Sequence, residues 1–253
     1  MLVVKHFSPY LLGGFIFFGL GLTVFVPILM WPIIAFLSLG LIFIVWLLSD
    51  KKIGNEFYNS LIAPFLLLWS VFLFNLFLES NIAKIIFSVL AGFFIFIYLE
   101  QLFYYRYLPK RYQANALENL SFYFVIFSLF LFSSSLFGFY IFLHAPRALL
   151  LVAMVIFTLV SNYQLFWALK VNFWESWPYN TVLTLALFEF FYVLMLLPTS
   201  FAVNGAMMAI LYYLTLGILR YHFMDRLDRR IIKRYLIIGG LMFIFVAVSA
   251  RWT

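Results

Sequence analysis

The chain has 253 residues, 67% of them hydrophobic and 10% charged, with a net charge of +7 and a mean hydropathy of +1.10. A globular domain averages about 25% charged residues, and here charge is confined to short clusters between long apolar runs, so no segment reads as a soluble domain and the positive balance gives no reason to expect nucleic acid. The absence of cysteine excludes disulfides, thiol catalysis, iron–sulfur clusters and thiolate zinc sites.

A membrane-spanning helix needs about 20 mostly apolar residues. The sequence offers nine such segments, at 9–26, 28–48, 60–79, 82–103, 120–143, 147–169, 180–198, 201–220 and 235–251. The expected fold is therefore all-α: a polytopic integral membrane helical bundle of about nine transmembrane helices in one membrane domain, 1–253, multi-pass in the cell membrane. The run beginning at Pro9 has no small-residue cleavage site before the second segment, which predicts a retained first helix. Pro27 and the Trp31-Pro32 pair divide the first apolar stretch, because proline lacks an amide donor and biases its predecessor away from helix. Pro64 is placed in the first turn of the third helix, and Asn75 and Glu79 toward its far end. Asn81 reads as a cap before the fourth helix, which is followed by Arg106, Lys110 and Arg111 among tyrosines.

In the fifth helix Ser134 and Gly138 have the spacing that lets helix backbones approach, as do Ala202 with Ala206 and Gly205 with Ala209 in the eighth. His144 and Arg147 flank the turn at Pro146. Pro178 and Pro198 are read as further turns. Thr199, Ser200 and Asn204 follow Pro198. Together with Asn75, Glu79, His144 and Arg147 they are candidates for an outer vestibule, or simply for helix caps.

Glu189 is the one carboxylate deep inside an apolar run, Tyr179 to Leu197. A buried charge in a bilayer is costly, about 2.5 kcal/mol or more, and is retained for a reason. Counting from adjacent helix ends puts Asn162 at similar depth, with Tyr163 and Gln164 beside it and Tyr192 one turn from Glu189. The functional reading is a proton- or cation-linked site. The structural reading is a pair of helices stapled by a hydrogen bond.

Residues 222–234 place Phe223, Met224, Leu227 and Ile231 on one helical face, with Arg226, Arg229, Arg230, Lys233 and Arg234 nearby. That pattern predicts a short interfacial helix for anionic lipid headgroups or a protein partner. With a cytoplasmic N-terminus, 13 lysines and arginines fall inside and 3 outside (Lys84, Arg147 and Arg251), which puts the C-terminus outside. A weak parallel repeat is suggested by Tyr58-Asn59-Ser60-Leu61 against Tyr179-Asn180-Thr181-Val182, and by Arg106-Tyr107 against Arg220-Tyr221. It would divide the chain into 1–118 and 119–220, with a closing helix at 235–251.

No phosphate-binding loop, zinc-protease motif or nucleophile elbow occurs. No catalytic residue, metal site or cofactor is therefore assigned, and an enzyme is not the favoured class. The function expected from these residues is transport or flipping of a small or lipid-like substrate. The alternative is a non-catalytic structural or assembly subunit of a larger membrane complex. The expected partners are a bilayer with anionic headgroups and a membrane or cytoplasmic protein.

Overall fold

The structure, a computed structural model, describes residues 2–113 and 115–250. Among these, every regular element is helical. The nine α-helices are α1 (Leu2–Phe25), α2 (Met30–Leu48), α3 (Asn55–Asn75), α4 (Asn81–Tyr107), α5 (Ala116–Leu143), α6 (Arg147–Ala168), α7 (Phe173–Leu194), α8 (Phe201–Phe223) and α9 (Arg229–Ser249). A 3₁₀ turn, Pro27–Leu29, joins α1 to α2. The chain forms two compact units, Met1–Val125 and Ile126–Thr253, so the boundary falls within α5.

In the first unit α1 packs on α2 and α4, and α3 packs on α2 and α4. Its interior is built from side chains one turn apart: Leu12, Ile16 and Leu20 on α1, Leu41 and Val45 on α2, and Ala91, Ile95 and Leu99 on α4. Gly13 and Gly92 let α1 and α4 close on each other. A methyl carbon at Gly92 would lie 2.6 Å from the Gly13 carbonyl oxygen, and one at Gly13 would lie 2.8 Å from Phe96 Cβ.

In the second unit α7 packs on α6 and α8, and α9 packs on α8. Helix α5 reaches α6 through stacked Phe132 and Phe157 rings, 4.1 Å apart and 8° from parallel, and α7 through Phe137 and Phe191. It meets α8 where a methyl at Gly205 would collide with the Ser134 hydroxyl. Helix α9 is the least enclosed: Gly239 is its only buried residue, while Leu241, Phe245 and Val248 are 62%, 74% and 80% exposed.

One capping expectation changes and one holds. Ser80, not Asn81, caps α4, with its hydroxyl accepting from the Ala83 amide at 3.4 Å. Ser200 caps α8 by accepting from Val203 at the same distance. Pro64 and Pro178 lie inside α3 and α7, away from any turn. A single proline removes one backbone bond and need not end a helix whose neighbours hold it. The interfacial helix over 222–234 does not form: α8 runs to Phe223, a short turn follows, and α9 begins at Arg229.

The reading as a nine-span membrane bundle is corrected. Eight of the described helices, not nine, are long and apolar enough to cross a membrane by length and composition. The exception is α7, which carries Glu175, Asn180 and Glu189, so the inside–outside alternation behind the charge split loses a member. Residues Arg251 to Thr253, expected outside beyond the last helix, fall outside the described residues.

The interior of each unit is, moreover, knitted by polar groups. Asn59, Ser70 and Ser88 in the first unit, and Thr158, Asn162, Gln164, Asn180 and Asn204 in the second, are all nearly or fully buried. The statement that holds, among the described residues, is an all-α fold of nine helices with extensive internal polar packing. The transmembrane and transporter classes, the larger-membrane-complex alternative, the multi-pass cell-membrane localisation and the lipid-headgroup and protein partnerships are not carried forward.

Candidate functional site

A hydrogen-bonded set of buried polar side chains in the second unit lies where α6, α7 and α8 meet. Asn162 on α6 is fully buried. Its Nδ2 donates to Asn180 Oδ1 at 3.0 Å and to Thr184 Oγ1 at 3.2 Å, both on α7. Its Oδ1 accepts from the Tyr212 hydroxyl on α8 at 2.7 Å. Thr184 donates in turn to Asn180 Oδ1 at 3.3 Å, and Asn180 Nδ2 reaches the Leu159 carbonyl at 3.5 Å. One asparagine thus satisfies three partners on two neighbouring helices. In a low-dielectric interior such a closed network is rigidifying, because every member would be costly if left unpaired.

Other buried groups have no such closure. Gln164 is fully buried and neither its Oε1 nor its Nε2 meets a protein partner. The hydroxyls of Ser128, Ser134 and Ser161 are likewise buried and unpartnered. All of these groups are neutral. The arrangement can donate and accept hydrogen bonds, but it holds no group that would move a proton at ordinary pH.

The expected Glu189–Asn162 pair is not formed. Glu189 is exposed, and Asn162 is taken up by Asn180, Thr184 and Tyr212. Glu189 lies five residues beyond Thr184, about 7.5 Å further along α7 and turned to a different face. Tyr163 and Tyr192 are 37% and 43% exposed. Of the five residues expected at this site, only Asn162 and Gln164 lie in the interior.

The outer cluster divides between the two units. In the first, Asn75 donates to Ser88 Oγ at 3.4 Å and Glu79 is exposed. In the second, Thr199 donates to Asn204, whose own amide donates to the Leu194 carbonyl at 3.3 Å, tying the α7–α8 turn to both helix ends. Ser200 is used as a cap, His144 is exposed, and Arg147 bonds Tyr140 at 2.7 Å and lies over its ring.

The basic residues assigned to a lipid surface also separate. Lys110, Arg111, Arg226, Arg229, Arg230, Lys233 and Arg234 are exposed. Arg106 is not: its side chain is only 14% exposed. It donates to the Leu48 carbonyl at 3.2 Å and to Ser60 Oγ at 3.3 Å. Beside it, the Tyr107 hydroxyl lies 2.9 Å from that same carbonyl and 2.6 Å from Asp50 Oδ1. Lys5 donates to Asp50 at 2.5 Å and to Tyr107 at 2.7 Å. These groups satisfy the carbonyl left open where α2 ends, ahead of left-handed Asp50 and Lys51 (φ 53° and 61°). Hydrogen bonds from Lys5 first and Tyr107 second hold the Asp50 carboxyl below the usual carboxylate range.

Asn180, Thr184 and Tyr212 are the network members that sequence reasoning missed. Their signal was present: in a helix starting at Phe173, Asn180 and Thr184 fall four residues apart on one face. Reading Pro178 as a turn hid it, because Asn180 then became a helix entry. Among the described residues no cluster of three histidine, cysteine, aspartate or glutamate side chains could hold a metal ion. The chain matches no family model, no curated protein and no solved structure.

Proposed function

We propose that the protein is a non-catalytic, self-contained helical framework, in which polar side chains serve to hold its own helices in register. The observation that carries this reading is the saturation of Asn162: this fully buried amide of α6 is occupied by Asn180, Thr184 and Tyr212. In the first unit, Lys5, Asp50, Arg106 and Tyr107 are likewise engaged with the end of α2 and with one another. Groups engaged in this way support geometry and are held by one another.

The test compares thermal melting of the wild type with Asn162→Ala and Tyr212→Phe, with and without a panel of small polar solutes. A framework role predicts that both variants melt lower and that no solute shifts the wild type selectively. A solute that raises the melting temperature of the wild type but not of Asn162→Ala would make the network a ligand site and overturn the framework reading.

A further inference from the structure

Ser128, Ser161 and Gln164 are three buried polar side chains of the second unit without a protein partner. The stacked Phe132 and Phe157 rings fix how α5 and α6 face each other. The two helices are joined by the short turn between Leu143 and Arg147, so they run antiparallel. Ser128 lies four residues before Phe132, and Ser161 four residues after Phe157. Each is therefore one turn further from the connecting loop on the face that carries the stacked ring, which brings the two serines level with each other. Gln164 follows Ser161 by three residues on the same face of α6.

A buried helical serine normally has a local alternative, the carbonyl four residues back. The neighbours use it: Ser133 bonds Leu129 at 2.6 Å, Ser135 bonds Leu131 at 2.7 Å and Thr158 bonds Met154 at 2.9 Å. Ser128 and Ser161 do not, and the Gln164 amide has neither a donor nor an acceptor satisfied. The stacked rings keep α5 and α6 in contact at one turn, and at the next turn the two helices each present a small serine. Buried polar groups without a protein partner, on facing turns of neighbouring helices, are the setting in which proteins bury water, which needs two to four polar partners.

We propose that the α5–α6 seam is an internal hydration site, in which a held water is shared by Ser128, Ser161 and Gln164. The three side chains offer hydroxyl and amide donors together with hydroxyl and carbonyl acceptors, matching a molecule that gives two hydrogen bonds and takes two. None of them carries a formal charge, so the site selects a neutral occupant over an ion. The water would complete on α6 what Asn162 completes by direct contact on another face of the same helix.

The test is a water-to-protein magnetisation transfer experiment on the full chain, labelled with ¹⁵N at glutamine side-chain amides. The chain has three glutamines, Gln101, Gln113 and Gln164, and the amide pair lost in Gln164→Leu assigns the signal. Should that variant fail to fold, Gln101→Glu and Gln113→Glu assign it by elimination. The expected result is a cross-peak between water and the Gln164 amide with opposite signs in laboratory-frame and rotating-frame spectra, the mark of a held water. Ser161→Ala should weaken it by removing one partner. Contacts from the Gln164 amide to protein protons alone, or a same-signed exchange peak, would overturn the proposal.

Discussion

Asn162 shows what one side chain can hold in place. Truncating it to alanine leaves the Tyr212 hydroxyl without its acceptor and Thr184 and Asn180 without their shared donor. Each buried group so abandoned costs about 1–3 kcal/mol, so Asn162→Ala should lower stability by at least about 2 kcal/mol in chemical denaturation. A loss below half that would show that the network closes around the gap. Glu189 should behave in the opposite way. It is exposed on α7, so Glu189→Gln and Glu189→Leu should each stay within about 0.5 kcal/mol of wild type. A marked loss in either would return a buried role to the carboxylate. Asp50 adds a pH dependence with a definite sign. Its carboxyl is held below the ordinary value by Lys5 and Tyr107. That stabilisation is present above the unfolded-state value of about 4 and is lost as pH falls through the lower folded-state value. Melting temperature measured downward from pH 5 should therefore fall more steeply for wild type than for Asp50→Asn, and parallel curves would refute the linkage. The effect is modest, because the Asp50 side chain is 62% exposed.

At the scale of elements, close helix approaches make predictions that composition alone does not. Gly205→Ala must place its methyl against Ser134, including the backbone nitrogen at 2.9 Å. Overpacking of this kind costs about 1–3 kcal/mol. Gly240 sits in α9 with nothing within 4 Å of where a methyl would stand, so Gly240→Ala should stabilise by up to about 1 kcal/mol through helix propensity. Finding the two substitutions equivalent by thermal melting would contradict the α5–α8 contact.

Helix number and order were legible, because long apolar runs separated by charge and turn residues leave few other partitions. Helix frames were less so. α1, α3, α7 and α9 begin five to seven residues upstream of the expected starts. The hydropathy of a segment marks where apolar residues lie, whereas the backbone continues through polar residues such as Lys5, Glu56, Glu175 and Arg230. The shift matters most in α7, where it moves Asn180 from an entry to the interior. The small-residue spacing around Ser134 and Gly205 did point to a real contact, since backbone approach needs no knowledge of frame. Gly92 carries the same spacing, four residues after Ser88, and its contact with Gly13 was legible in the same way.

At the scale of the whole molecule, the second unit leaves α9 with Leu241, Phe245 and Val248 largely uncovered. Apolar surface of this kind is open to association between copies of the chain. In buffer without detergent the protein should self-associate, measured by sedimentation, and Leu241→Lys with Phe245→Lys should reduce it. A monodisperse monomer for wild type under those conditions would show that the face is tolerated as it stands.

The buried polar side chains named in both units are serine, threonine, asparagine and glutamine, with tyrosines at Tyr98 and Tyr212. Such groups neither ionise across the ordinary range nor attract counter-ions. Acid and added electrolyte therefore act on the rim, where Lys5 meets Asp50 and Arg106 meets Glu56, while the inner contacts stay indifferent to both. Heat and denaturant are the agents that reach them. The fold should loosen first at that charged margin when acid or salt is added, and fail throughout when it is heated or denatured.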